Sequence, residues 1–87
     1  MYNGWKNRIT WQIWVHISNT EIEHTRWKER IEMVEAPQLA GYMGSFYLIE
    51  VGNQFEEPDD HLWIVLMEFA IEQVDWLSIA KRLTEED

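Results

Sequence analysis

The side chains able to do chemistry here are three histidines and a crowd of carboxylates. His16, His24 and His61 do not form the i,i+4 pair that holds a metal on one helix face, and His16 and His24 are separated by a helix break. Glu56-Glu57-x-Asp59-Asp60-His61 could gather a hard cation through oxygen ligands, yet it lacks the alternating spacing and turn glycine of a calcium loop. Its better reading is negative charge placed before a helix, where it meets the positive end of the dipole. No Gly-rich phosphate cradle and no Gly-x-Ser-x-Gly elbow occurs. No pair of carboxylates is set apart as acid and base. These absences predict a protein that binds rather than catalyses, with no catalytic residue, metal or cofactor.

Charge then asks what it would bind. The chain has 87 residues, a formal charge of −9 and no cysteine. Disulfides and thiolate chemistry are therefore excluded, and a reducing compartment is allowed. The imbalance is one-sided. Residues 1–49 hold five Lys/Arg and five Asp/Glu, whereas residues 50–87 hold two and eleven. Such a surface repels free nucleic acid and anionic membrane and attracts a basic protein groove. The candidate contact residues are Glu50, Glu56, Glu57, Asp59, Asp60, Glu68 and Glu72. Direct nucleic-acid binding would need a basic stripe, and Arg26, Lys28 and Arg30 are interleaved with glutamates. No apolar run reaches the roughly 18–20 residues that cross a bilayer. The opening Met-Tyr-Asn-Gly-Trp-Lys has no basic-then-apolar signal pattern, so a cytoplasmic location is expected.

The elements that must position these residues are helices. Asn3-Gly4 is turn chemistry. Thr10 is read as the N-cap of a helix over Trp11–Ile17. Ser18-Asn19-Thr20-Glu21 reads as a capping box opening a helix from about Asn19 to Glu35, with Ile22, Trp27, Ile31 and Val34 inward. Pro37 stops it. The segment from Gln38 to Phe55 follows a helical period through Leu39, Tyr42, Met43, Phe46 and Ile49, against Gly41 and Gly44, which each cost about 1 kcal/mol in a helix. Helix is the reading; the alternative is an α+β fold with a short strand or hairpin around Phe46–Val51. Leu62 to Ile71 leaves little polar face and predicts a helix at the bundle centre or against a partner chain. Asp75 should cap a last helix, Trp76 to Leu83, with Trp76, Ile79, Ala80 and Leu83 inward. The fold expected is all-α, a single domain over residues 1–87, a bundle of four (three to five) helices. Trp11, Trp14, Trp63 and Trp76 are expected in its core, while Tyr2 and Trp5 pin the N-terminal turn.

Tyr2-Asn3-Gly4-Trp5-x-Asn7-x-x-Thr10-Trp11 resembles the opening of a family of small bacteriophage-encoded proteins of unknown function. Val74-Asp75-Trp76-x-x-Ile79-Ala80 resembles the short closing helix of many of them. The resemblance implies a phage protein working in the bacterial cytoplasm on host machinery such as restriction, CRISPR or transcription complexes. Joined to the acidity, it predicts an inhibitor or modulator, an anti-CRISPR or anti-restriction nucleic-acid mimic, whose partner is a host protein with a basic surface. The alternative is a homo-oligomeric structural or assembly protein, a homodimer through the apolar helix.

Overall fold

The structure, a computed structural model, describes residues 2–54 and 61–85. Five helices follow one another: α1 (Arg8–Asn19), α2 (Glu21–Ile31), α3 (Ala36–Gln54), α4 (His61–Glu72) and α5 (Trp76–Glu85). The fold is all-α. The described residues contain no strand, only an isolated bridge between Tyr2 and Trp5.

That bridge closes the Asn-Gly turn. Asn3 and Gly4 have φ of 49° and 88°, the two positive values that a two-residue hairpin turn demands. Tyr2 N donates to Trp5 O at 2.7 Å and Trp5 N donates back to Tyr2 O at 2.8 Å. The turn drives Trp5 into the core, where it lies 5.6 Å from Trp14. Tyr2 sits outside it, 5.1 Å from Trp11.

The cap of α1 is Asn7, not Thr10, so the helix starts three residues before the expected Trp11. Asn7 Oδ1 accepts from Thr10 N at 2.9 Å and from Thr10 Oγ1 at 2.6 Å. The asparagine outcompetes the threonine because its carbonyl reaches the orphan donor while its backbone stays extended. Thr10 has another task. Its buried hydroxyl accepts from Asp75 N at 2.9 Å, and Asn7 Nδ2 donates to Gln73 O at 2.8 Å. Asp75 caps α5 as expected, its carboxylate accepting from Ser78 Oγ at 2.7 Å and Ser78 N at 3.2 Å. The starts of the first and last helices are thus tied together by two side chains, Asn7 and Thr10, which bond the backbone at Gln73 and Asp75.

The Ser18–Glu21 capping box does not form. Ser18 remains inside α1 and its hydroxyl donates back to Val15 O at 3.2 Å, so Thr20, with extended backbone, makes the break. Helix α2 ends at Ile31, before the expected Glu35, and Ile22 faces solvent. Pro37 lies in the first turn of α3, where its missing N–H costs nothing. The middle segment is helix throughout. Gly44 explains itself: a Cβ there would sit 3.3 Å from Trp76 Nε1, so the glycine lets the Trp76 indole lie against α3.

The core joins Trp5, Ile17, Trp27, Leu39, Met43, Val74, Ile79, Ala80 and Leu83. Trp11, Trp14 and Trp76 pack partly buried against its edge. Trp63 departs from its expected place, and of the two placements expected for α4, the bundle centre or a partner chain, the first is excluded. Trp63 is exposed rather than core, and α4 buries no residue, so it is not the centre of the bundle. The centre is α3 against α5, closed by α1 and α2. That arrangement is complete without α4, which packs along α3 from outside.

Two substitutions separate these roles. Thr10→Val should lower unfolding free energy by about 1–3 kcal/mol, because it strands the Asp75 N–H in a part-buried site. Trp63→Gln should change it by less than about 0.5–1 kcal/mol. Urea denaturation followed by Trp fluorescence and circular dichroism checks both.

Candidate interaction surface on the fourth helix

Helix α4 turns one apolar side to α3 and another to solvent. At 100° per residue, Ile64, Met67 and Ile71 fall on the inner side. Met67 and Ile71 line a cleft of about 250 Å³ together with Ile13, Tyr47, Val51, Val74 and Trp76. Leu62, Val65, Leu66 and Phe69, at i, i+3, i+4 and i+7, form the outer stripe and are 61, 47, 49 and 62 % exposed. Trp63, half exposed, borders the stripe on one edge. Glu68 and Glu72, one helical turn apart and exposed, border it on the other, with His61 at the N-terminal end of that edge. No Lys or Arg occurs between His61 and Val74 to offset them.

The expected contact residues separate accordingly. Glu68 and Glu72 stand beside the stripe. Glu50, half-buried on α3, contributes to the wall of the cleft. Glu56, Glu57, Asp59 and Asp60 lie outside the described residues. The reading of the residues missed the stripe itself. Its spacing was present, but the inner positions of α4 are equally apolar, and the continuous run hid which four residues face outward.

The cleft floor is held by a polar cluster that the sequence did not reveal. Tyr47 stacks on Trp76 at 5.3 Å and 11°. Its hydroxyl accepts from Trp27 Nε1 at 2.9 Å and donates to Glu23 Oε2 at 2.5 Å. Arg26 Nη1 lies 3.0 Å from Glu23 Oε1, and its guanidinium covers the Phe46 ring. Burial alone would raise the Glu23 carboxyl; the Tyr47 hydroxyl and Arg26 outweigh it and hold it below the usual value. Burial and the Glu23 carboxylate together push the Tyr47 phenol well above its ordinary range. A phenol kept protonated and engaged on both sides is a strut between α2 and α3, not a proton-transfer group. Among the described residues, no group of three His, Asp or Glu could hold a metal ion. No described helix is long and apolar enough to cross a membrane.

Comparison with known proteins returned no match: no family model, no curated relative and no solved structure aligns with this chain.

The strut makes stability depend on acid. Glu23 holds its proton more weakly folded than at its ordinary value of 4.5, and the Ser78 hydrogen bonds lower Asp75 likewise from 3.8. A lowered folded pKa contributes stability that is present above the unfolded value and lost as pH falls through the folded one. The urea midpoint should therefore fall on acidification below about pH 4.5. The gap between wild type and Glu23→Gln, open at pH 7, should narrow over the same window. A gap independent of pH would remove the carboxylate from the account.

Proposed function

We propose that this protein works by contact, binding another protein through the outer face of α4 and inhibiting or modulating the complex to which that protein belongs. The exposed stripe Leu62, Val65, Leu66 and Phe69 carries the reading. Four large apolar side chains on consecutive turns of a surface helix, bounded by polar or amphipathic edges, are the mark of an interaction site. The charge supports a basic partner. Glu68 and Glu72 flank the stripe, and most of the surplus carboxylates of the chain belong to the half that contains α4. With the resemblance to small phage proteins, the reading is an acidic phage-type inhibitor in a bacterial cytoplasm. Its partner is a host protein with a basic, nucleic-acid-binding surface, as in an anti-CRISPR or anti-restriction factor. No catalytic step is part of this reading.

The same stripe supports a second reading, a homo-oligomeric assembly protein. An antiparallel two-fold pairing of α4 would set Leu62 of one copy against Phe69 of the next.

Affinity capture from host lysate tests the first reading when wild type is compared with Phe69→Asp. Losing an aromatic anchor from an interface costs about 2 kcal/mol or more, so captured partner should drop at least roughly 30-fold. Helical content should be unchanged, because Phe69 is exposed. Unaltered capture by Phe69→Asp would remove α4 from the reading.

A further inference from the structure

We infer that the occupant of the α4 face is a single amphipathic helix with an apolar seam and a Lys/Arg edge, contributed by another protein. This rests on the reading of α4 as the docking element and names its partner. The outer stripe runs over two helical turns, a straight seam of roughly 10 Å at 1.5 Å per residue. A seam repeating at i, i+3, i+4 and i+7 is matched by another helix, whose own side chains recur with the same spacing and interdigitate with it. An extended strand presents alternate residues and cannot follow that repeat. Nor can it pair with α4 by main-chain hydrogen bonds, since those groups are used within the helix.

Charge selects among helices. Glu68 and Glu72 are one turn apart on a single edge, and α4 has no cation of its own. A partner helix lying along the stripe places its own edge residues opposite them. Lys or Arg one turn apart there would form two ion pairs, whereas carboxylates would be repelled. The opposite edge carries Trp63, whose exposed indole offers a face to an arginine on the other side of the same helix.

The same edge argues against a second copy of this chain. In a two-fold antiparallel pair, like edges meet, and because that edge holds no Lys or Arg, Glu68 and Glu72 of either copy would gain no Lys or Arg partner. Each copy would also bring a charge of −9. Nucleic acid and anionic lipid are repelled for the same reason. What remains is a basic amphipathic helix. Recognition is then seam plus edge, rather than a lattice of carboxylates imitating phosphates.

Three synthetic helical peptides of one length test this against the full-length protein by fluorescence anisotropy. The first has a Leu seam and Lys edges, the second the same seam with Glu edges, and the third the composition of the first with the seam scrambled. The Lys-edged peptide should bind, at least about tenfold more weakly at 500 mM than at 50 mM salt. Phe69→Asp should abolish its binding. Glu68→Lys/Glu72→Lys should weaken it at least tenfold and admit the Glu-edged peptide. Equal binding of the scrambled or the Glu-edged peptide to wild type overturns the inference, as does no binding of any peptide. Sedimentation of the free protein is the second arm. A dimer abolished by Phe69→Asp would assign the face to a second copy and overturn the inference too. If the peptides fail while lysate capture still depends on Phe69, only the helix occupant falls and α4 stays the docking element.

Discussion

A buried hydroxyl needs both a donor and an acceptor, and Thr10 Oγ1 finds them at opposite ends of the chain. It donates to Asn7 Oδ1 and accepts from Asp75 N, a closure across 65 residues. The first donors of α1 and α5 have no partner within their own helices, and both helices begin against the core. One asparagine, one threonine and one aspartate satisfy them jointly. The rest follows from that closure. With the two starts held together, α5 is laid along α3, the Trp76 indole comes to rest against Gly44, and Ile79, Ala80 and Leu83 become fully buried. Lys28 Nζ then donates to Leu83 O at 2.9 Å, placing a cation at the negative end of α5.

This closure also gives the opening motif a physical meaning. Asn3 and Gly4 supply the turn, Trp5 the core anchor, Asn7 the cap, Thr10 the bridge and Trp11 the cover beneath Tyr2. The closing segment around Asp75 is what Asn7 and Thr10 bind. The opening and closing segments are therefore in contact, and every residue quoted from them with a contact described above has a structural task. Their combined pattern specifies how the bundle is closed. The contact surface proposed on α4 lies elsewhere, on residues the pattern does not include.

Local rules with one solution were legible in the sequence. Asn-Gly could only be a turn, Asp75 stood alone before an amphipathic helix, and Trp76, Ile79, Ala80 and Leu83 kept one spacing; each is found as read. Competing rules were not legible. Asn7 and Thr10 are both good caps, and the choice depended on Asp75 arriving from 65 residues away. Ser18 could cap one helix or continue another, and continuity prevailed. Phe46–Val51 had strand propensity, but Phe46 and Tyr47 pack against Trp27 as helix neighbours. Apolarity sent Trp63 to the core and α4 to the bundle centre or against a partner chain, and the core placements fail because the core is already closed by α3 and α5. Of the surface proposed on α4, the acidic edge of Glu68 and Glu72 is visible from charge alone, while the apolar stripe between it and Trp63 is not.

Because α4 places no side chain in the core, the outer stripe is free of folding constraints. Residues 62, 65, 66 and 69 can change without opening a cavity, and α1, α2, α3 and α5 will not register the change. With the outer face of α4 as the binding surface proposed above, selection on binding and selection on folding act on separate sets of positions. A lineage using this frame can follow a partner that mutates to escape, exchanging one apolar pattern for another on a single helix. Within such a lineage, divergence should concentrate on the outward side of α4 while the Asn7, Thr10 and Asp75 joint stays fixed.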